Sequence, residues 1–497
     1  MLNGSESLVT FILFAAVTAI LVWGYNRAKA YGRLGILAWL QSIVLMSPWL
    51  LFFGLFSLGI YLNLVSILFL LLASVAVYIL LGRQLRAEGQ EALLKQKAGE
   101  RIKQQALANS LVEKEAEQPA TIEMSPIPDE DITVLKGIFS IDTFFATETI
   151  PYQDGAIFKG NLRGEADVSY SKMSSKLQQA FDDKYRLFLV ESPEEKPVVV
   201  ILPKTNDPQT TTLAQKNLAL VLLLGTILTS LEAASVLQGF DLFNNFNRYG
   251  EAVPLSLGLW SILIAHEIAH RVIANRYQIR LSIPFFLPNW QIGSFGAITR
   301  FESLLPNRTA LFDIALAGPA VGGILSLLLL IVGLTLSHPG SAFQLPTEFF
   351  RASVLVGTLA KVVLGSALEA AVVDISPLVI VGWLGLVITA LNLLPAGKLD
   401  GGRIVHAIYG RKTARRSTLA TLIILGIVAL FNPANPIPLY WAVLILFLQR
   451  DLERPVQNEL TEPNDSRAAW GLLALFLMLA TLIPLSTGLA GRIGLGS

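Results

Sequence analysis

The stretch LSLGLWSILIAHEIAHRVIA, Leu255–Ala274, decides how the rest of the chain is read. It has the length and apolar content needed to cross a hydrocarbon core about 30 Å thick, yet it carries His266, Glu267 and His270 near its end. On a helix, residues four apart share one face about 5–6 Å apart, so His266 and His270 can hold one metal ion while Glu267 leans beside it. That is the helical zinc-binding pattern, with the glutamate as general base toward water. With 4 His in 497 residues, the expected number of chance matches is on the order of 0.001. The alternative, buried polar residues paired with neighbouring helices, needs several partners for three costly groups in a span.

The whole composition agrees with a membrane setting. The chain is 53% hydrophobic and only 15% charged, with a mean hydropathy of +0.57, whereas an average soluble domain is about a quarter charged. A net charge of +1 gives no electrostatic reason to bind nucleic acid. Having no cysteine excludes disulfides, thiolate metal sites and a cysteine nucleophile. Any metal must therefore use His, Asp or Glu. The N-terminus lacks the charged region of a signal peptide and reads as a retained span.

Apolar runs of spanning length occur near 8–24, 36–53, 59–82, 213–235, 255–275, 310–336, 377–396 and 468–489. Two shorter runs, 417–432 and 436–449, flank a turn at Asn432–Pro436 and read as a tight membrane hairpin. The expected fold is an all-α polytopic membrane protein of about ten spans with one small cytoplasmic α+β domain. Its expected divisions are an N-terminal transmembrane region (1–82), a charged linker (83–128), the soluble α+β domain (129–205), a membrane core (213–411) and a C-terminal transmembrane region (412–497). Within the soluble domain, alternation of Phe139, Phe144, Phe145, Ile150 and Phe158 with polar residues predicts strands, Val168–Tyr185 has helical spacing, and Phe188–Val190 and Val198–Leu202 predict two more strands. Basic residues at 27–33, 83–103, 271–280, 411–416 and 450–454 fall on one side if spans alternate; that side is expected to be cytoplasmic, with the N-terminus outside. Segment 352–372, apolar but holding Lys361 and Glu369, is expected outside the membrane or at its surface.

Two histidines leave a catalytic zinc one protein ligand short. His338 lies in a loop, Ser337–Gly340, and reads as solvated. His406 follows Asn392–Arg403, where Pro395 and Gly397 break the emerging helix and Asp400 precedes two glycines that allow close backbone approach. On spacing alone, Asp400 reads equally as a third ligand and as an ordinary turn aspartate before Gly-Gly.

HEIAH in a span followed by N-x-x-P-x-x-x-L-D-G-G at the end of another resembles the site-2 protease family of intramembrane zinc metalloproteases, over roughly Leu213–Arg411. The tract Gly160–Gly164, GNLRG, further resembles the photosynthetic branch of that family. The resemblance implies one zinc held by His266, His270 and Asp400, with Glu267 as base and Asn392 as a polar stabiliser near the reacting carbonyl. It also implies hydrolysis of a peptide bond in or near a transmembrane segment of a membrane-protein substrate. Plasma or thylakoid membrane is the expected location, with lipid as surrounding partner and the active site toward the cytoplasmic side. The segment Gly293–Arg300 is too broken for a helix. The resemblance suggests a strand-like piece, with Gly293, Phe295 and Gly296, that holds unwound substrate by backbone pairing; the other reading is a re-entrant loop without substrate contact. Ala317–Gly323, rich in small residues, reads as a close helix crossing beside the zinc helix. The readings from other classes are a membrane transporter and a chaperone-like scaffold with a non-catalytic zinc site.

Overall fold

A computed structural model describes residues 21–57 apart from 31, isolated residues between 70 and 85, and 127–492 apart from 153, 193, 433, 434 and 450. Most of the expected spans at 8–24 and 59–82 and nearly all of the linker lie outside the described residues. The chain divides into two compact units, Met1–Met124 with Thr211–Leu228 and Phe240–Arg248, and Ser125–Thr210 with Thr229–Gly239 and Tyr249–Ser497. In the first, the apolar run at 36–53 lies in helix α1 (Gly32–Ser57), where the Ser42 hydroxyl returns to the Ala38 carbonyl.

The second unit begins with the α+β domain. Helix α2 (Asp129–Ile138) leads into strands β1 (Phe144–Tyr152) and β2 (Gly155–Leu162), helix α3 (Ala166–Phe181), then β3 (Tyr185–Glu191) and β4 (Pro197–Pro203). The strands form one antiparallel sheet in the order β1-β2-β4-β3. Period-two alternation turns Phe144, Phe158, Leu187, Leu189, Val199 and Ile201 into a core with Leu135, Met173 and Leu177. The helix expected over Val168–Tyr185 ends at Phe181, because Asp182 takes a positive φ of 51° and Tyr185 opens a strand. The charged turn between β3 and β4 is made at Glu195, with φ 62°. The opposite face of the sheet is also apolar; Phe188, Val200 and Leu202 line a cavity of about 670 Å³ with Leu304 and Pro455.

Next come α4 (Leu213–Leu237) and α5 (Tyr249–Arg276), a hairpin of β5 (Phe285–Asn289) and β6 (Gly293–Ile298), and α6 (Arg308–Thr335), whose first turn is capped by the Asn307 side chain on the Ala310 amide. A second hairpin, β7 (Phe343–Pro346) with β8 (Val372–Ile375), brackets α7 (Val354–Leu364). The 11 residues of α7 span about 16 Å, too short to cross a membrane. Helices α8 (Pro377–Asn392), α9 (Asp400–Phe431), α10 (Ile437–Leu444) and α11 (Asp465–Leu482) follow.

Among the described residues, five helices are long and apolar enough to cross a membrane, Leu213–Leu237, Phe246–Arg276, Arg308–Thr335, Asp400–Phe431 and Asp465–Leu482, with two shorter apolar helices, Pro377–Asn392 and Ile437–Phe447. Two of the expected runs take these forms in the structure. The run 377–396 ends as a helix at Asn392, ahead of Pro395, after 16 residues. The run 417–432 is the later part of α9, an element that the non-helical Gly410 (φ 78°, ψ 174°) divides into two helical pieces. The basic cluster Arg411–Arg416 sits on the second of these pieces, and Lys412 pairs with Glu195 of the α+β domain.

Candidate metal centre

Helix α5 delivers His266 and His270 one turn apart, as the spacing dictates, and their Nε2 atoms lie 3.0 Å from each other. The start of α9 brings Asp400, whose Oδ2 lies 3.3 Å from His266 Nε2 and 3.4 Å from His270 Nε2. All three residues are buried. The His270 Nδ1 lies 2.7 Å from the Ile314 carbonyl; a carbonyl only accepts, so Nδ1 carries the proton and Nε2 presents its lone pair to the cluster. Two imidazole nitrogens and a carboxylate oxygen are the donors zinc prefers, and a tetrahedron of 2.0–2.1 Å bonds has edges of about 3.3–3.4 Å. The donor set fits zinc.

Backbone approach explains why those residues can converge. A Cβ added at Gly318 of α6 would collide with His270 Nε2 and His266 Cδ2, so the Ala317–Gly323 stretch packs directly against the two rings. A Cβ at Gly401 would strike the Leu393 carbonyl, and one at Gly402 the Gly397 carbonyl. The two glycines after Asp400 thus let the start of α9 lie against the turn that leaves α8.

Glu267 points into the same buried region. Its Oε2 accepts from the Thr299 hydroxyl at 2.8 Å and from Arg271 Nη1 at 3.0 Å. Asn392 Nδ2 donates to the Phe295 carbonyl at 3.3 Å and to the Ile388 carbonyl at 3.0 Å, tying the end of α8 to β6. A small cavity of about 10 Å³, lined by Glu267, His270, Thr299, Asn392 and Asp400, has room for about one water.

Segment 293–298 is a strand, β6, paired antiparallel with β5. Gly293 and Gly296 have φ of 85° and 94°, in the left-handed region that favours glycine. The Phe295 side chain is fully buried between Tyr440 and Trp441, with ring centroids 4.9 and 5.6 Å away; only its backbone is turned to other uses. His338 lies in an exposed loop beside the Pro339 carbonyl, and His406 Nε2 lies 3.2 Å from both Glu459 oxygens, so neither joins the cluster. Burial pushes the Glu459 carboxyl upward, but His406 and Arg411 outweigh it and hold it below the usual carboxylate range. Thr299, Arg271, Arg403 and Glu453 were not singled out from the sequence. Arg271 stands four residues after Glu267 and Arg403 three after Asp400, spacings that place each on its neighbour's face.

The buried His-Glu-His-Asp cluster among long apolar helices has the donors of a zinc site, and comparison with known proteins gives the class to which the chain belongs, the membrane zinc metalloproteases. The model of peptidase family M50 matches residues 254–432, and that of the EGY3 middle domain matches 133–209. The probable chloroplastic zinc metalloprotease EGY2 of Arabidopsis thaliana is 40% identical over 395 residues, covering 77% of this chain and 70% of its own length. The probable chloroplastic zinc metalloprotease EGY1 of the same plant is 37% identical over 404 residues, covering 74% and 73%. No solved structure matches. The chain belongs to peptidase family M50, the site-2 protease family, together with the EGY zinc metalloproteases. It is a zinc-dependent hydrolase of the membrane, and the transporter and scaffold readings are not favoured.

Proposed function

We propose that the protein is an intramembrane protease that hydrolyses a peptide bond in or near a transmembrane segment of membrane-protein substrates, with His266, His270 and Asp400 as the zinc ligands and Glu267 as the base. The observation that carries this reading is the 3.0–3.4 Å triangle of Nε2, Nε2 and Oδ2 atoms, buried beside a glutamate on a spanning helix. Bound zinc supplies Lewis acidity, polarising a carbonyl and lowering the pKa of water to about 7. Glu267 takes the proton from the attacking water and returns it to the leaving amine. Thr299 and Arg271 hold Oε2 and so fix the plane in which the carboxylate works. Asn392 orients β6 through the Phe295 carbonyl, and on substrate binding its amide turns from that long 3.3 Å bond to stabilise charge on the scissile carbonyl oxygen. Substrate enters unwound, because a helical carbonyl is occupied by its i+4 amide, and pairs its backbone with β6 near Gly293 and Gly296. The basic residues that flank the spans support a site open toward the cytoplasmic side of a plasma or thylakoid membrane.

The test is metal content measured alongside cleavage of a co-reconstituted transmembrane substrate. The parent protein holds about one zinc per chain, the stoichiometry of a single three-ligand site; His266→Ala, His270→Ala and Asp400→Ala each lower that content and stop cleavage. Full metal and full activity in Asp400→Ala would remove Asp400 from the site. Deleting residues 1–82 leaves zinc content at the parental level, since every proposed ligand lies after Leu255; loss of metal from the truncated protein would assign part of the site to the N-terminal region.

A further inference from the structure

Arg403 is almost fully buried, and its guanidinium meets both halves of the site. Nη1 lies 3.6 Å from Asp400 Oδ1, on the opposite side of the carboxylate from Oδ2, the oxygen that faces the two histidines. Nη2 donates to the Thr299 carbonyl at 2.7 Å, and the Thr299 hydroxyl holds Glu267. The guanidinium also stands over the Phe301 ring, 4.7 Å from its centroid. It is anchored from behind by Glu453, whose Oε1 accepts from Nε at 3.0 Å and from Nη2 at 2.6 Å. Glu453 belongs to the connector between α10 and α11. Four and more residues on, that connector joins the soluble domain: the Leu189 amide on edge strand β3 donates to the Gln457 carbonyl at 2.8 Å, and the Glu459 amide donates to the Leu189 carbonyl at 2.9 Å.

We propose that Arg403, anchored by Glu453, is a positioning residue of the zinc centre: it fixes the Asp400 carboxylate toward His266 and His270 and, through Thr299, the orientation of Glu267. This inference rests on the reading that His266, His270 and Asp400 hold the metal. Arg403 borders the small cavity beside Glu267 and Asp400, and its role is exerted through those two side chains. A guanidinium presents donors in a rigid fork, so one side chain can serve Glu453, the Thr299 carbonyl and Asp400 together, which a lysine cannot reproduce. Glu453 takes two of those donors. Without its charge, the buried guanidinium is left with Asp400 as its nearest carboxylate and competes with zinc for it.

The experiment measures the zinc dissociation constant of the full-length chain in detergent by competition with a chromophoric chelator, on protein shown to be folded by its melting profile. Loss of an outer partner of a metal ligand typically costs about 10–100-fold in affinity. Arg403→Gln is expected to weaken zinc by that factor, Arg403→Lys by less, and Glu453→Gln in the same direction. The double variant Arg403→Gln with Glu453→Gln is expected to be no worse than Arg403→Gln alone, because the two act as a unit. Arg308→Gln supplies the comparison for a merely structural arginine. Arg308 is equally buried and donates to the Ala407 and Ile408 carbonyls, so its loss is expected to lower the melting temperature and leave zinc affinity of the folded protein at the parental value. Parental affinity in Arg403→Gln, or a loss no larger than that of Arg308→Gln, overturns the inference. Should Arg403→Gln fail to fold, Glu453→Gln decides: parental zinc affinity there overturns it equally. A parent chain that takes up no zinc, or keeps it after His266→Ala, defeats the metal-site reading itself; one that loads zinc through His266 and ignores Arg403 and Glu453 defeats only this inference.

Discussion

Glu267→Gln is expected to reduce cleavage of a reconstituted transmembrane substrate by about a hundred- to ten-thousand-fold, the usual contribution of a general base, while zinc content stays at the parental level. Glutamine keeps the volume and an oxygen that can accept from Thr299 and Arg271, so the local packing on Oε2 survives. It cannot take up the proton of the attacking water. The variant should therefore bind substrate without cutting it. Substrates that accumulate uncut on it would identify what the enzyme acts on in its own membrane. Cleavage at the parental rate by zinc-loaded Glu267→Gln would assign the base to another group.

Gly318→Ala is expected to abolish zinc binding even though every proposed ligand remains in place. The added methyl would overlap His270 Nε2 and His266 Cδ2, atoms on or beside the metal-facing edges of both rings. Relief requires α6 to withdraw from α5 or the rings to rotate away from Asp400. Overpacking of this kind costs about 1–3 kcal/mol in a well-packed interior, and either movement opens the triangle of donor atoms. Gly426→Ala, on α9 where an added Cβ meets nothing within 4 Å, serves as the control and should keep metal and activity. Zinc content by atomic absorption on both purified variants checks the pair; a Gly318→Ala protein with one zinc per chain would show that the α5–α6 packing is looser than the geometry requires.

The two-histidine face and its glutamate were legible because they are local. Helical periodicity alone puts residues 266 and 270 on one side, and an apolar run of spanning length needs no tertiary context to be recognised. The α+β domain was legible for a similar reason, since strand alternation over Phe144–Phe158 and Val198–Leu202 is set by the pleat. Span counting was less secure. Hydropathy marks apolar runs but not where the backbone leaves the helix: α8 ends at Asn392, within the run 377–396, and Gly410 divides the element that carries Asp400 from the one that carries the run 417–432.

By itself, the sequence determined a membrane protein with a metal-binding helix, a small sheet domain and a conformationally permissive turn after Asn392. Only the tertiary structure decided that Asp400, and neither His338 nor His406, stands against the histidine pair. It alone showed Thr299 and Arg271 on Glu267, Glu453 on Arg403, and Gly318 under both rings. The physical reason is separation along the chain. Asp400 follows His266 by more than a hundred residues and Glu453 follows Arg403 by fifty, so their meeting depends on which small residues let α6, α8 and α9 approach, a property of packed surfaces that no local spacing encodes.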